Sequence, residues 1–324
     1  MNPIYLEPNQ QEELQEKYVT EVIERSLGYI SAHYEHPEDP RARLDYHNTA
    51  HTLDVIDRIE ALLRILAPGS IQHGRLLAAG HDRVQHWTDV TKMVNGYPVT
   101  TKKRTTGLNE RASAYMVAAD MRYINNKQGL VFPEALIAQL EADISITIPL
   151  YDQQLGTVRQ PNFTPESSME AKALALADLG GGAMQGGAYF VEEGNRNFRE
   201  MNSDITEYVR RFGFELSKHC AGSRGYYDSL RDRFLADAAS QVRFAQGRMA
   251  LLPQELGMLP GQHMVEVARL MSRLPEAVHA AEASLYMRGV MTLDEIVADV
   301  YKTSPFLEGY RDEIEKRKVY RILS

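Results

Sequence analysis

A chain of 324 residues exceeds one minimal domain and falls short of two large ones, and at 44% hydrophobic it can bury a sizeable core. Asp and Glu number 44 against 36 Lys and Arg, and the resulting net charge of -8 repels phosphate backbones and argues against a dedicated nucleic-acid binder. A single cysteine, Cys220, excludes an intramolecular disulfide and a cysteine-rich zinc site. The polar, acidic N-terminus lacks a signal-peptide pattern, and no apolar run approaches the roughly 20 residues that span a bilayer. A reduced, cytoplasmic protein without membrane contact is expected.

Helical periodicity dominates from the start. Between Glu12 and Tyr34 the apolar residues Leu14, Tyr18, Val19, Val22, Ile23, Leu27 and Ile30 recur every three or four positions, the stripe of an amphipathic helix. The Pro-containing stretch from His36 to Pro40 breaks it. A second helical run carries Tyr46 to Leu66 and stops near Pro68-Gly69, and a third, Leu- and Ala-rich, runs from Ile71 to about Asp82. Residues 88–109 are polar, contain Gly96-Tyr97-Pro98 and cluster Lys92, Lys102, Lys103 and Arg104, which suggests an irregular loop. Helices are expected again over 110–126 and 133–148, the latter with Pro133 in its first turn, before a second irregular connection over 150–165. Thr164-Pro165-Glu166 reads as an N-cap and first turn opening a helix through Asp178, and the glycines 180–182 and 186–187 as a helix break. Thr292-Leu293-Asp294-Glu295 fits a capping box. Sustained alternation of period two is hard to find, so the fold class is all-α. Residues 1–200 are expected to form a core and 201–324 a helical extension packed on it, of unknown role.

Three short segments carry chemistry. In Tyr46-His47-Asn48-Thr49-Ala50-His51, two imidazoles four apart would share one helix face, suiting two ligands or one ligand beside a proton donor. Ala78-Ala79-Gly80-His81-Asp82 ends an apolar helix with an imidazole and a carboxylate, which need a partner such as a divalent cation, an arginine or a capped helix end. Asp178 closes the apolar run Ala173-Leu174-Ala175-Leu176-Ala177 in the same way. Two imidazoles and two carboxylates form a mixed nitrogen and oxygen donor set, suited to Fe, Mn, Co, Ni, Zn or Mg.

The order His, His-Asp, Asp resembles the HD superfamily of metal-dependent phosphohydrolases, whose all-α core draws four ligands from separate helices. Tyr46-His47-Asn48-x-x-His51-x-x-Asp54-Val55 further resembles the cyclic-nucleotide phosphodiesterase branch. The resemblance covers about residues 40–200. It implies His51, His81, Asp82 and Asp178 as ligands to one or two ions, with His47 as general acid and Asp82 as the bridging carboxylate if two ions bind. Glu110, in a Glu-x-x-Ser-Ala segment like that of small HD hydrolases, is then expected near the metal waters. The chain departs from the phosphodiesterases in being shorter and in placing His86 four residues after Asp82 rather than three, and no glutamine and aromatic pair is assigned to a purine ring.

The activity so implied is hydrolysis of a phosphate ester, with a nucleotide or small phosphodiester as the expected partner. A metal- and nucleotide-binding regulatory module without turnover is the alternative. An oxygenase of the same type is disfavoured because His86 is the only histidine from 83 to 177, too few for a second metal site. The cluster Lys102-Lys103-Arg104 reads equally as an anion-attracting or a solvated loop. Asp54 suits either a hydrogen bond to a ligand histidine or solvent, and Trp87, the single tryptophan, either a substrate ring or the core.

Overall fold

The computed structural model describes residues 8–220 and 223–304. Helices α1 (Pro8–Ile30), α2 (Thr49–Leu66) and α3 (Ile71–Gly80) precede a hairpin of β1 (Trp87–Val94) and β2 (Tyr97–Arg104). Then come α4 (Leu108–Gln128), α5 (Glu134–Ile144), a small hairpin of β3 (Leu150–Asp152) and β4 (Thr157–Arg159), and α6 (Met169–Asp178). The rest is helical: α7 (Gly181–Gln185), α8 (Gly187–Met201), α9 (Ser203–Phe212), α10 (Leu216–His219), α11 (Arg224–Leu256), α12 (Gly261–Leu270), α13 (Leu274–Val290) and α14 (Leu293–Tyr301). The class is all-α, and no described helix is long and apolar enough to cross a membrane. Residues 305–324 of the expected C-terminal extension lie outside the described residues.

The core is built around α6. Every residue from Ala171 to Ala177 is buried, because α2, α3 and α5 pack against it from different sides. The small alanines let these backbones approach closely, and the leucines fill the space between them. The buried faces of α1, α2, α3, α4 and α5 complete this cluster, and Leu252, Leu256 and Val267, from α11 and α12, join it. A second apolar cluster gathers Phe198, Val209, Phe234, Ile296 and Val300 from α8, α9, α11 and α14. Buried Arg199 ties the two regions together. It pairs with Asp45, ahead of α2, and donates to the Val300 carbonyl at 2.5 Å.

Several element bounds differ from the sequence reading, each for a local reason. The second helix starts at Thr49 rather than Tyr46, because Asn48 is extended (φ -129°, ψ -177°) and its side chain caps the helix by accepting from the His51 N–H. His47 therefore precedes the helix, and His47 and His51 do not share a helix face. α6 opens at Met169 rather than after Thr164, since the Ser168 hydroxyl accepts from Ala171 N–H and takes the capping role. The polar stretch 88–109 is not irregular: β1 and β2 pair antiparallel across Asn95-Gly96, both at positive φ, the geometry of a tight hairpin turn. Period-two alternation is missing because β1 is mostly exposed and the one side chain buried on β2 is a lysine, Lys102. The stretch 150–165 likewise holds the β3–β4 pair. The glycines after Asp178 do not simply end a helix; α7 and α8 begin at Gly181 and Gly187. The capping box at Thr292 and Glu295 is present.

Candidate metal centre

Four donor atoms converge beneath α2 and α6. His51 lies in the first turn of α2, His81 and Asp82 follow the last residue of α3, and Asp178 ends α6. One ligand atom from each of the four lies within 4.8 Å of all the others. Asp82 Oδ2 is 3.2 Å from His81 Nε2 and 3.7 Å from His51 Nε2. Asp178 Oδ1 is 3.6 Å and 3.8 Å from the same two nitrogens. Donors bound at about 2.1 Å to one divalent cation are separated by about 3.0–3.4 Å in octahedral or tetrahedral sites, so the cage is close to that size. The buried Nε2 atoms of His51 and His81 have no hydrogen-bond partner among the described residues, a costly state that a cation relieves. The donors present thus fit a divalent metal ion.

Neighbours fix the orientation of most ligands. His81 Nδ1 donates to the Ala78 carbonyl at 2.7 Å, which leaves Nε2 as the lone-pair donor facing the cluster. Gln160 Nε2 donates to Asp178 Oδ2 at 3.1 Å, turning Oδ1 inward. Asp82 Oδ1 accepts from Gln85 Nε2 at 2.7 Å and from Arg104 at 2.8 Å, turning Oδ2 inward. The Tyr46 ring packs 4.6 Å from the His51 ring, centroid to centroid.

The cluster demands positive charge. Burial holds His51 well below the usual histidine range, so it is a neutral imidazole able to ligate. Burial also pulls the His81 ring down, but Asp82 and Asp178 overcome it and push that ring up to about 10. Burial works to raise Asp82 as well, yet His81 and Arg104 keep it well below the ordinary carboxylate value. Either a proton on His81 or a cation shared by all four groups meets this demand.

His47 stands at the edge of this group. Its Nε2 is 3.8 Å from Asp82 Oδ2, and its Nδ1 lies 2.5 Å from Glu200 Oε1. Glu200 Oε2 accepts from the Tyr46 and His47 backbone N–H groups at 2.9 and 3.0 Å. Burial alone would raise the Glu200 carboxyl, but the His47 ring and these N–H groups hold it below its ordinary value. Glu110 is fully buried and one layer away: it accepts from Gly107 N–H at 2.7 Å and pairs with Arg104 at 3.0 Å. Beside the cluster a cavity of about 300 Å³ opens, with Trp87, Phe190, Phe244, Asn197 and Gln241 in its walls.

No local pattern in sequence marks Glu200, Gln160 or Gln85 as part of the site. Arg104, for which the sequence allows an anion-attracting or a solvated role, turns inward to Asp82, while Lys102 is buried with its ammonium on the Arg41 carbonyl and Lys103 is exposed. Trp87 lies 5.6 Å from the His47 ring and lines the cavity. His86 is exposed. Asp54 neither holds a histidine nor merely faces solvent, for it accepts the Tyr189 hydroxyl.

Comparison with known proteins adds no assignment. No protein-family profile matches the chain. No curated protein matches it. No solved structure matches it.

Proposed function

We propose that the protein is a metal-dependent phosphohydrolase of the HD type, acting on a phosphate ester of a small molecule such as a nucleotide. The observation that carries this reading is the meeting of His51, His81, Asp82 and Asp178, up to 127 residues apart in sequence, within 4.8 Å of one another beside an open cavity. Their order along the chain is that of the HD superfamily. The aromatic walls supplied by Trp87, Phe190 and Phe244 suit an organic ring attached to the phosphate.

A divalent cation bound by the four ligands supplies Lewis acidity toward a phosphoryl oxygen and a water acidified toward neutrality. The protein's own groups do the rest. Glu200 holds the Nδ1 side of His47, so that Nε2 faces the cleft next to Asp82. As the water, its proton released to solvent, adds to phosphorus and the ester P–O bond breaks, the His47 imidazolium gives its Nε2 proton to the leaving oxygen, and Glu200 keeps its counter-charge close. Glu110 acts only through Arg104, which it holds against Asp82.

The test is a screen of phosphomonoesters and phosphodiesters with Mn or Fe added to the full chain. Turnover that a chelator abolishes and metal restores is expected. Nucleotide binding without turnover would favour a regulatory module, oxygen consumption an oxygenase, and failure to bind any divalent metal would end the metal-centre reading.

A further inference from the structure

A phosphohydrolase that uses two cations bridges them with a carboxylate, the role the sequence resemblance implies for Asp82. The geometry of Asp82 leaves no room for the task. Oδ2 faces the three histidines, at 3.2 Å from His81, 3.7 Å from His51 and 3.8 Å from His47. Oδ1 accepts from two donors, the Gln85 amide at 2.7 Å and the Arg104 guanidinium at 2.8 Å. A carboxylate oxygen offers about two lone-pair directions, and here both are taken. Among the described residues no second group of His, Cys, Asp and Glu donors converges into a cage.

The place beyond Oδ1 already holds a fixed positive charge. Arg104 sits between Asp82 and Glu110, 2.8 Å from one carboxylate and 3.0 Å from the other. It lines the same cavity wall as His47 and Asp82, and its buried Nε has no hydrogen-bond partner among the described residues. A guanidinium presents five donors in a rigid fork matched to phosphate oxygens and stays charged at any working pH. The hairpin delivers it: Arg104 ends β2 opposite Trp87, the first residue of β1, so one strand pair brings both side chains to the cavity.

We propose that the centre holds one metal ion and that the Arg104 guanidinium stands in the second cation's place, forming an anion subsite for a phosphoryl oxygen of the substrate. This rests on the hydrolase reading above and adds the ion count and the group that neutralises the transferred phosphoryl. Gln85 and Glu110 are positioning residues, the first for Asp82 and the second for Arg104.

Metal content per chain at saturating Mn, together with orthophosphate affinity read from the fluorescence of the single tryptophan Trp87, tests it on the full-length protein. One ion per chain is expected. Arg104→Gln is expected to keep that ion, to weaken orthophosphate at least about tenfold, and to lower kcat roughly 10²–10³-fold, as for loss of one charge-stabilising donor. Arg104→Lys keeps a cation between Asp82 and Glu110 and so guards against loss of the fold; it is expected to retain one ion with intermediate orthophosphate affinity. Two ions per chain, or equal orthophosphate affinity in all three proteins, would overturn the inference and leave the hydrolase reading standing. No ion at all would overturn both.

Discussion

Glu200 shows how much of a site can depend on a residue with no local signature. Its carboxylate receives two backbone N–H groups and the His47 ring from 153 and 154 residues earlier in the chain. The four cage residues were legible in sequence because each breaks a local rule: His51 follows another histidine by four residues, and His81, Asp82 and Asp178 place polar groups at the ends of apolar helices. Glu200, Gln160, Gln85 and Arg104 break none. A glutamate in the last turn of an amphipathic helix is ordinary until the fold brings it to a histidine. Replacing His47 by Ala is expected to lower kcat about 10²–10⁴-fold while metal content stays unchanged. Glu200→Gln removes the counter-charge of the imidazolium, so a smaller loss is expected. Rates of both variants, with metal analysis in parallel, check this; an unaltered rate in His47→Ala would remove it from the chemistry.

At the level of elements, the site depends on where helices end and how closely they pack. α3 stops at Gly80, and His81 and Asp82 leave it directly into the cluster. A Cβ on Gly80 would lie 2.5 Å from Val117 Cγ2 on α4, and valine is too short and stiff to swing aside. Gly80→Ala is expected to cost about 1–3 kcal/mol through overpacking, and to weaken metal binding because the end of α3 carries two of the ligands. Thermal unfolding with and without metal measures both effects; an unchanged midpoint would show that α3 and α4 can separate freely. Helix α1 was readable from its apolar spacing and α3 and α6 from their Leu- and Ala-rich runs, whereas the starts of α2 and α6 depended on caps chosen in three dimensions, Asn48 and Ser168. The hairpin was hidden for another reason. β1 is mostly exposed and β2 buries a lysine rather than an apolar residue, so no alternation marks it, although Asn95-Gly96 is a recognised hairpin turn pair and was the one available signal.

For the whole molecule, the all-α class follows from periodicity, but the division of labour along the chain does not. The cage draws its ligands from residues 51–178, while Glu200 at the end of α8 holds His47, and Gln241 and Phe244 of α11 wall the cavity. Arg199, buried against Asp45 and the Val300 carbonyl, fixes α8 to both the segment before α2 and the end of α14. The chain beyond residue 200 therefore shapes the space a substrate would enter. No spacing rule reports such contacts, because they join polar groups 101 to 154 positions apart. The most direct measurement is anomalous diffraction at the metal edge from crystals grown with Mn or Zn. One peak is expected, within about 2.0–2.3 Å of His51 Nε2, His81 Nε2, Asp82 Oδ2 and Asp178 Oδ1. A map without a peak there, or with the ion bound elsewhere and the four side chains turned apart, would contradict the account.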